Sequence, residues 1–238
     1  VLCAVRDRFL LSPLSLVWLN YIDAVGISHN HYDHLDEATI RHLADQGTEF
    51  FVPLGTGAHL AAWDIPESQI HDLDWWETVS LGDLAIVATP TRHYSGRGLF
   101  DYKKTLWSSW SVLGPEHRFF YSGDSGYSKL FAEIGDRFGP FDLNIVKVGS
   151  YGPGQSWIDI HMPPEEAIQV ALDVGGGPVL PVHWATFNLA LHDWDDPIIR
   201  ATKAAEEKGV NLLTPHLGET VDLQKPYEST RWWESVRN

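Results

Sequence analysis

The chain of 238 residues holds one cysteine, Cys3, so no intramolecular disulfide framework braces it. That usage fits a reducing compartment, and a cytoplasmic location is expected. Basic residues are scarce, with 17 Lys+Arg against 32 Asp+Glu and a net charge of −15. A field of that sign repels polyanions unless cations cluster locally, and no cluster occurs, so nucleic acid is not an expected partner. Long apolar runs are missing too: the most apolar stretch, FLLSPLSLVWL, falls well short of the ~20 residues of a membrane-spanning helix and is broken by Pro13. The first residue is Val rather than Met and RDR interrupts the opening apolar residues, so the start is read as a fragment boundary. With no repeat, low-complexity tract or long linker, one domain over 1–238 is expected, large enough for a core that needs no staples.

What the chain does have is an alternation of strand and helix signals. Strands are expected over IDAVGI (22–27), EFFVPL (49–54), LAIVAT (84–89), FDLNIVKVG (141–149), PVLPVH (178–183) and VNLLT (210–214). TLWSSWSVL (105–113) and HRFFYSG (117–123) flank Gly114-Pro115 and read as a hairpin. Helices are expected after Asp36, which can cap Ile40, Leu43 and Ala44 at helical spacing, and over 129–138, 163–174 and 197–209. Elements mixed in this way imply an α/β architecture in which helices cover sheets. The unusual polar residues fall at strand ends.

Most concentrated among them is SHNHYDHLD (28–36), with three histidines and two aspartates. A divalent metal needs lone pairs held at about 2 Å, supplied by neutral imidazoles and carboxylates on rigid supports. His29-x-His31 sets two imidazoles side by side, and Asp33-His34 adds a carboxylate and a third imidazole, so one loop holds parts of two sites.

This loop matches the H-x-H-x-D-H signature of the metallo-β-lactamase superfamily. With TPTRHYSGRGLFDYKKTLWSSWSVLG, RFFYSGDSGY, FGPFDL, IHMPPEEAI and VHWATF, the chain resembles the branch of phospholipases D that hydrolyse N-acylphosphatidylethanolamine and, more distantly, the L-ascorbate-6-phosphate lactonases, over roughly residues 20–220. The resemblance implies a four-layer αββα sandwich with a binuclear site at one rim. Carried over by motif, one metal would take His29, His31 and His93, the other Asp33, His34 and His183, with Asp124 bridging. All seven ligands are N or O donors, which favours Zn2+ and leaves Mn2+ or Fe2+ open. An oxygen-reducing di-iron site on this fold resembles H-x-E-x-D, and His31 occupies the Glu position here, so redox chemistry is not expected.

The same resemblance implies a phosphodiesterase of phospholipase D type. Asp33 and Asp124 would hold the nucleophile, and His161 would orient a phosphate oxygen or assist the leaving alkoxide. Arg97 is a candidate for a substrate phosphate, with an ion-pair role equally open; His192 and His216 are candidates for the pocket wall. A lactonase or small phosphoester hydrolase on a soluble substrate is the first alternative, and a non-catalytic metal-binding scaffold the second. In the family a hairpin and further strands precede the signature loop, whereas residues 1–20 match poorly, so an incomplete first sheet is expected; peripheral membrane contact and a homodimer, implied by the phospholipase relative, depend in part on that region. His42, His59, His71 and His117 read as surface residues. Most of Trp107, Trp110, Trp157, Trp184 and Trp194 are expected in the core, and Asp193, Asp195 and Asp196 in a solvated loop before the last helix.

Overall fold

Asp36 starts the first helix as its side-chain chemistry predicts. In the computed structural model, which describes residues 21–236 with Ser15 and Leu19 and leaves Cys3 and nearly all of FLLSPLSLVWL outside the described residues, its carboxylate accepts the Thr39 amide at 2.8 Å and the Thr39 hydroxyl at 2.7 Å. The helix α1 (Glu37–Ala44) lays Ile40 and Leu43 on three parallel strands, β1 (Ala24–Gly26), β2 (Glu49–Pro53) and β3 (Ile70–Leu73), hydrogen-bonded in that order. Period-two alternation in β2 then separates two cores. Phe50 and Val52 pack with Ile27, Leu35 and Leu60 beneath α1 and α2 (Gly57–Ala62), while Phe51 joins a cluster with Leu73, Ile86, Ala88 and Trp110 between the sheets.

The second sheet has six strands in chain order: β4 (Thr78–Leu81), β5 (Leu84–Thr89), β6 (Ser109–Leu113), β7 (Arg118–Tyr121), β8 (Leu143–Lys147) and β9 (Val179–Val182). It is antiparallel from β4 to β7 and parallel from β7 to β9. On its far face lie α3 (Leu130–Phe138), α5 (Pro164–Asp173) and α6 (Asp196–Lys208), burying Phe120, Phe131, Val146, Ile168 and Ile198 completely. Each such side chain contributes about 1.5–3 kcal/mol by leaving water. The layers therefore run helix, sheet, sheet, helix, as the resemblance implies. The buried Trp110 indole donates to the Ile27 carbonyl at 3.0 Å and ties the sheets together.

Several elements differ from the sequence reading. The strand expected over 105–113 begins only at Ser109, because the residues before it bond elsewhere: Leu106 N–H reaches the Leu54 carbonyl and Ser108 N–H the Ser28 carbonyl. VNLLT forms an isolated bridge of Leu212 to Val179 rather than a strand. Strands β3 and β4 and helix α2 were not expected, although TVSL in β4 does alternate. Two shorter helices, α4 (Gln155–Ile158) and α7 (Trp233–Val236), complete the elements used below. His59 and His71 are half-buried rather than surface residues. His59 Nε2 lies 3.1 Å from Asn30 Nδ2, and His71 pairs with Glu49 at 2.8 Å.

Candidate metal centre

Sheet direction brings the polar residues together. Strands β5 and β7 both run antiparallel to β6, and β7, β8 and β9 are parallel, so the segments leaving β5, β7, β8 and β9 emerge at one edge. These segments carry His93, Asp124, His161 and His183. The loop after β1 reaches the same edge, held there by the Ser108–Ser28 backbone bond and by Gly96 N–H on the Asn30 carbonyl oxygen Oδ1 at 2.7 Å.

Two clusters result. In the first, His29 Nε2 lies 2.8 Å and His93 Nε2 3.3 Å from His31 Nδ1. Ligand atoms about 2.05 Å from a tetrahedral zinc stand roughly 3.3 Å apart, close to this spacing. In the second, His34 Nε2 is 3.4 Å from Asp33 Oδ2 and 3.3 Å from Asp124 Oδ2, and His183 Nε2 repeats both distances. Asp124 Oδ2 is also 3.9 Å from His93 Nε2, so it faces both clusters. The donors of each cluster lie mutually close enough to hold one ion. His34 Nε2 and Asp124 Oδ1 are buried with no hydrogen-bond partner, which is costly unless something else satisfies them. The residues fit a pair of divalent cations.

The electrostatics suit ligands. Burial pushes the imidazoles of His29 and His31 below the ordinary histidine value and that of His93 down to about 3, leaving their lone pairs free. Burial would raise the carboxyls of Asp33 and Asp124, but the surrounding histidines outweigh it and hold both well below the usual carboxylate range. At His34 burial opposes protonation and Asp124 with Asp33 overcomes it, so its value is raised. The second nitrogens are fixed from outside: His93 Nδ1 donates to the Ile160 carbonyl at 3.0 Å, and His29 Nδ1 meets Ser28 Oγ at 3.0 Å. His183 sits at φ +65°, a left-handed conformation that costs a non-glycine residue on the order of 1–3 kcal/mol, with its carbonyl so close to Gly149 that no side chain fits there.

The remaining candidates separate. His161 joins the centre, its buried Nδ1 unpartnered and 3.9 Å from Asp124 Oδ2. Arg97 Nη1 donates to the Asn30 and Leu35 carbonyls at 2.9 and 2.7 Å, and the guanidinium lies 4.0 Å over the Tyr32 ring, so it braces the signature loop. His192 likewise has both ring nitrogens engaged, by Ser150 N–H and the Asp193 carbonyl, and stacks on Tyr151. His216 lines a cavity of about 320 Å³ with His183, Trp184, Leu217 and Trp232. A smaller one of about 150 Å³, lined by Asp33 and Phe187, shares His183, Trp184 and Thr186 with it. Sequence reasoning passed over Ser28, Asn30 and Lys147; the last had a signal, a lone cation inside the apolar run NIVKVG.

The chain matches the Beta-lactamase superfamily domain over residues 4–184. It is 46% identical over 225 residues to an uncharacterized protein of Mycobacterium tuberculosis, covering 93% of this chain and 60% of that one. It is 30% identical over 227 residues to N-acyl-phosphatidylethanolamine-hydrolyzing phospholipase D 1 of Caenorhabditis elegans, covering 89% of this chain and 64% of that one. The chain thus spans under two thirds of the length of these relatives. Among solved structures, Igni18, a metallo hydrolase from the archaeon Ignicoccus hospitalis, superposes with a TM-score of 0.64 at 21% identity, covering 84% of this chain and 78% of that one. The chain belongs to the metallo-β-lactamase superfamily.

Proposed function

We propose that this member of the metallo-β-lactamase superfamily is a binuclear metallohydrolase that cleaves a phosphodiester, acting as a phospholipase D on a lipid of the N-acylphosphatidylethanolamine kind. The observation that carries this reading is the convergence of His29, His31 and His93 beside Asp33, His34, Asp124 and His183. These residues would hold two divalent cations, zinc by donor type with manganese or iron as alternatives. Bound there, the cations supply Lewis acidity that brings a water's pKa toward ~7 and offsets charge on phosphoryl oxygens.

The chain's own groups account for the rest. Asp124 and Asp33, anionic and preorganised, orient the attacking water and receive its hydrogen bonds. His161, kept neutral by burial, presents Nδ1 toward the reacting region as a donor for a phosphate oxygen or the departing alkoxide. Water attack at phosphorus breaks the bond to the alcohol, giving a phosphomonoester and an N-acylethanolamine. The two neighbouring cavities, which share Trp184, with Trp232 and Leu217 lining the larger one, suit an apolar portion of the substrate. No helix among the described residues is long and apolar enough to cross a membrane. A lipid would instead be met at its surface: Leu99 and Phe100 are 80% and 86% exposed beside exposed Lys103 and Lys104, on a loop joined to the centre through Tyr102, Tyr94 and His31.

Metal analysis paired with a panel of N-acylated phospholipids, sugar-phosphate lactones and bis(p-nitrophenyl) phosphate tests this reading. Two divalent ions per chain and turnover of the phospholipid are expected. Turnover confined to lactones would replace the substrate class with the soluble one, and metal uptake without turnover of any ester would favour the scaffold reading.

A further inference from the structure

Lys147 closes β8 at 1% exposure, the one lysine or arginine among the buried residues described. Burial brings its amine down to about 7, so near neutral pH it is an ammonium only part of the time, and among the described residues its Nζ has one hydrogen-bond partner, the Met162 carbonyl at 3.2 Å, and no ion-pair partner. A buried cation so sparsely satisfied lowers stability relative to an apolar side chain of equal length. Its neighbours suggest what that cost sustains. Met162 follows His161, and its N–H donates to the Ser125 carbonyl at 2.8 Å, one residue past Asp124. The Lys147 N–H donates to Ser122 Oγ at 3.0 Å, on the other side of Asp124. Ile160, preceding His161, accepts from His93. The two segments approach so closely that any side chain at Gly126 would strike the Ile158 and Asp159 carbonyls.

We infer that Lys147 is a positioning residue for His161: its Nζ, donating to the Met162 carbonyl, pins the segment carrying His161 against the loop carrying Asp124. His161 has ring contacts with His93 and His183, at 5.1 and 6.0 Å between centroids, but no hydrogen bond at Nδ1, which is buried 3.9 Å from Asp124 Oδ2. Its hydrogen-bonded support runs through the backbone on either side, and Lys147 supplies the only side-chain donor to Met162 among the described residues.

The test uses the full chain with Lys147→Met, Lys147→Gln, His161→Ala and the Lys147→Met/His161→Ala double variant. In the metal-free protein, the 15N resonances of the His161 ring should move in Lys147→Met and return most of the way in Lys147→Gln, which keeps a donor for Met162. This arm does not depend on activity. The kinetic arm rests on the hydrolytic reading: with bis(p-nitrophenyl) phosphate, kcat should fall about tenfold or more in Lys147→Met with KM and metal content unchanged. The double variant should be no slower than His161→Ala alone, and the Tm of Lys147→Met should equal or exceed that of the parent. An unmoved His161 resonance overturns the inference, whatever the activity. So does a kcat loss that multiplies with that of His161→Ala. If wild-type turnover is absent the proposed function fails, and the resonances alone decide the role of Lys147; if Lys147→Met does not fold, Lys147→Leu, which also lacks a donor, reads the same two quantities against Lys147→Gln.

Discussion

The two halves of the centre are built from different materials. His29, His31 and His93 form a neutral cluster with no carboxylate of their own, whereas Asp33 and Asp124 give the His34–His183 half two negative charges. A cation in the second half is held by charge as well as lone pairs, and a buried charge pair at these distances is weakly screened. In the first half affinity would depend more on aim, with Asp124 the one carboxylate in reach, and that is where Ser28 and the Ile160 carbonyl meet ring nitrogens. Asp124, facing both, makes the halves one unit.

The largest effect should come from removing that link. Asp124→Asn keeps the shape and deletes the charge; activity should fall by about a thousandfold or more, beyond the 10–100-fold of an outer partner, and metal analysis should show both ions weakened. Equal loss of a single ion only would sever the halves. Next, His93→Ala and His183→Ala should each leave roughly one ion per chain. Graded chelation of the parent should strip the neutral half first; simultaneous release at one chelator concentration would contradict the comparison.

Acid should also distinguish the halves in the metal-free protein. As pH falls below about 6.5 an unfolded chain's histidines take up protons, while His93 resists down to about 3 and His29 and His31 are shifted the same way. The unfolded state then binds more protons, so these three lower stability progressively over that window. His34, with its value raised, works oppositely: it stabilises at low pH and loses that contribution as pH rises through its elevated value. Tm of the metal-free chain is expected to drop from pH 7 to pH 4, and His93→Gln should flatten the slope. An unaltered slope in that variant would refute the assignment.

Much of this centre was legible because its donors are sequence-local or follow strands whose apolar runs are plain: His29 to His34 sit in six residues, and His93, Asp124 and His183 each follow a recognisable strand. The αββα layering was available only through resemblance, since periodicity marks a buried strand without saying which sheet it joins; β3 and β4, short and half-polar, left little trace. Roles that depend on what the other end of a side chain touches were not legible at all. Arg97 reads as a phosphate ligand from its place after His93, yet two carbonyls some 60 residues earlier in sequence claim it. Ser28 reads as filler until its hydroxyl is seen at His29.

Ser28→Ala therefore sharpens the comparison at a finer scale: it should weaken the neutral half by about tenfold in metal affinity and the other half less, since the hydroxyl lies 3.0 Å from His29 Nδ1 but 3.5 Å from His34 Nδ1, read by competition with a chromophoric chelator. Smallest is the effect expected of Arg97→Lys. Arg97 Nη1 donates to both the Asn30 and the Leu35 carbonyl, a point that a lysine stem of different length reaches less well, and an ammonium loses the planar stack on Tyr32, so stability should fall by about 1 kcal/mol. Because Nη1 is engaged by the loop, KM for a phosphodiester should change less than about twofold, whereas loss of a bidentate phosphate contact would raise it by about tenfold or more. Tm and KM measured on the same preparation separate the two: a lowered Tm with constant KM makes Arg97 a brace of the metal loop, and a raised KM with constant Tm would return it to the substrate.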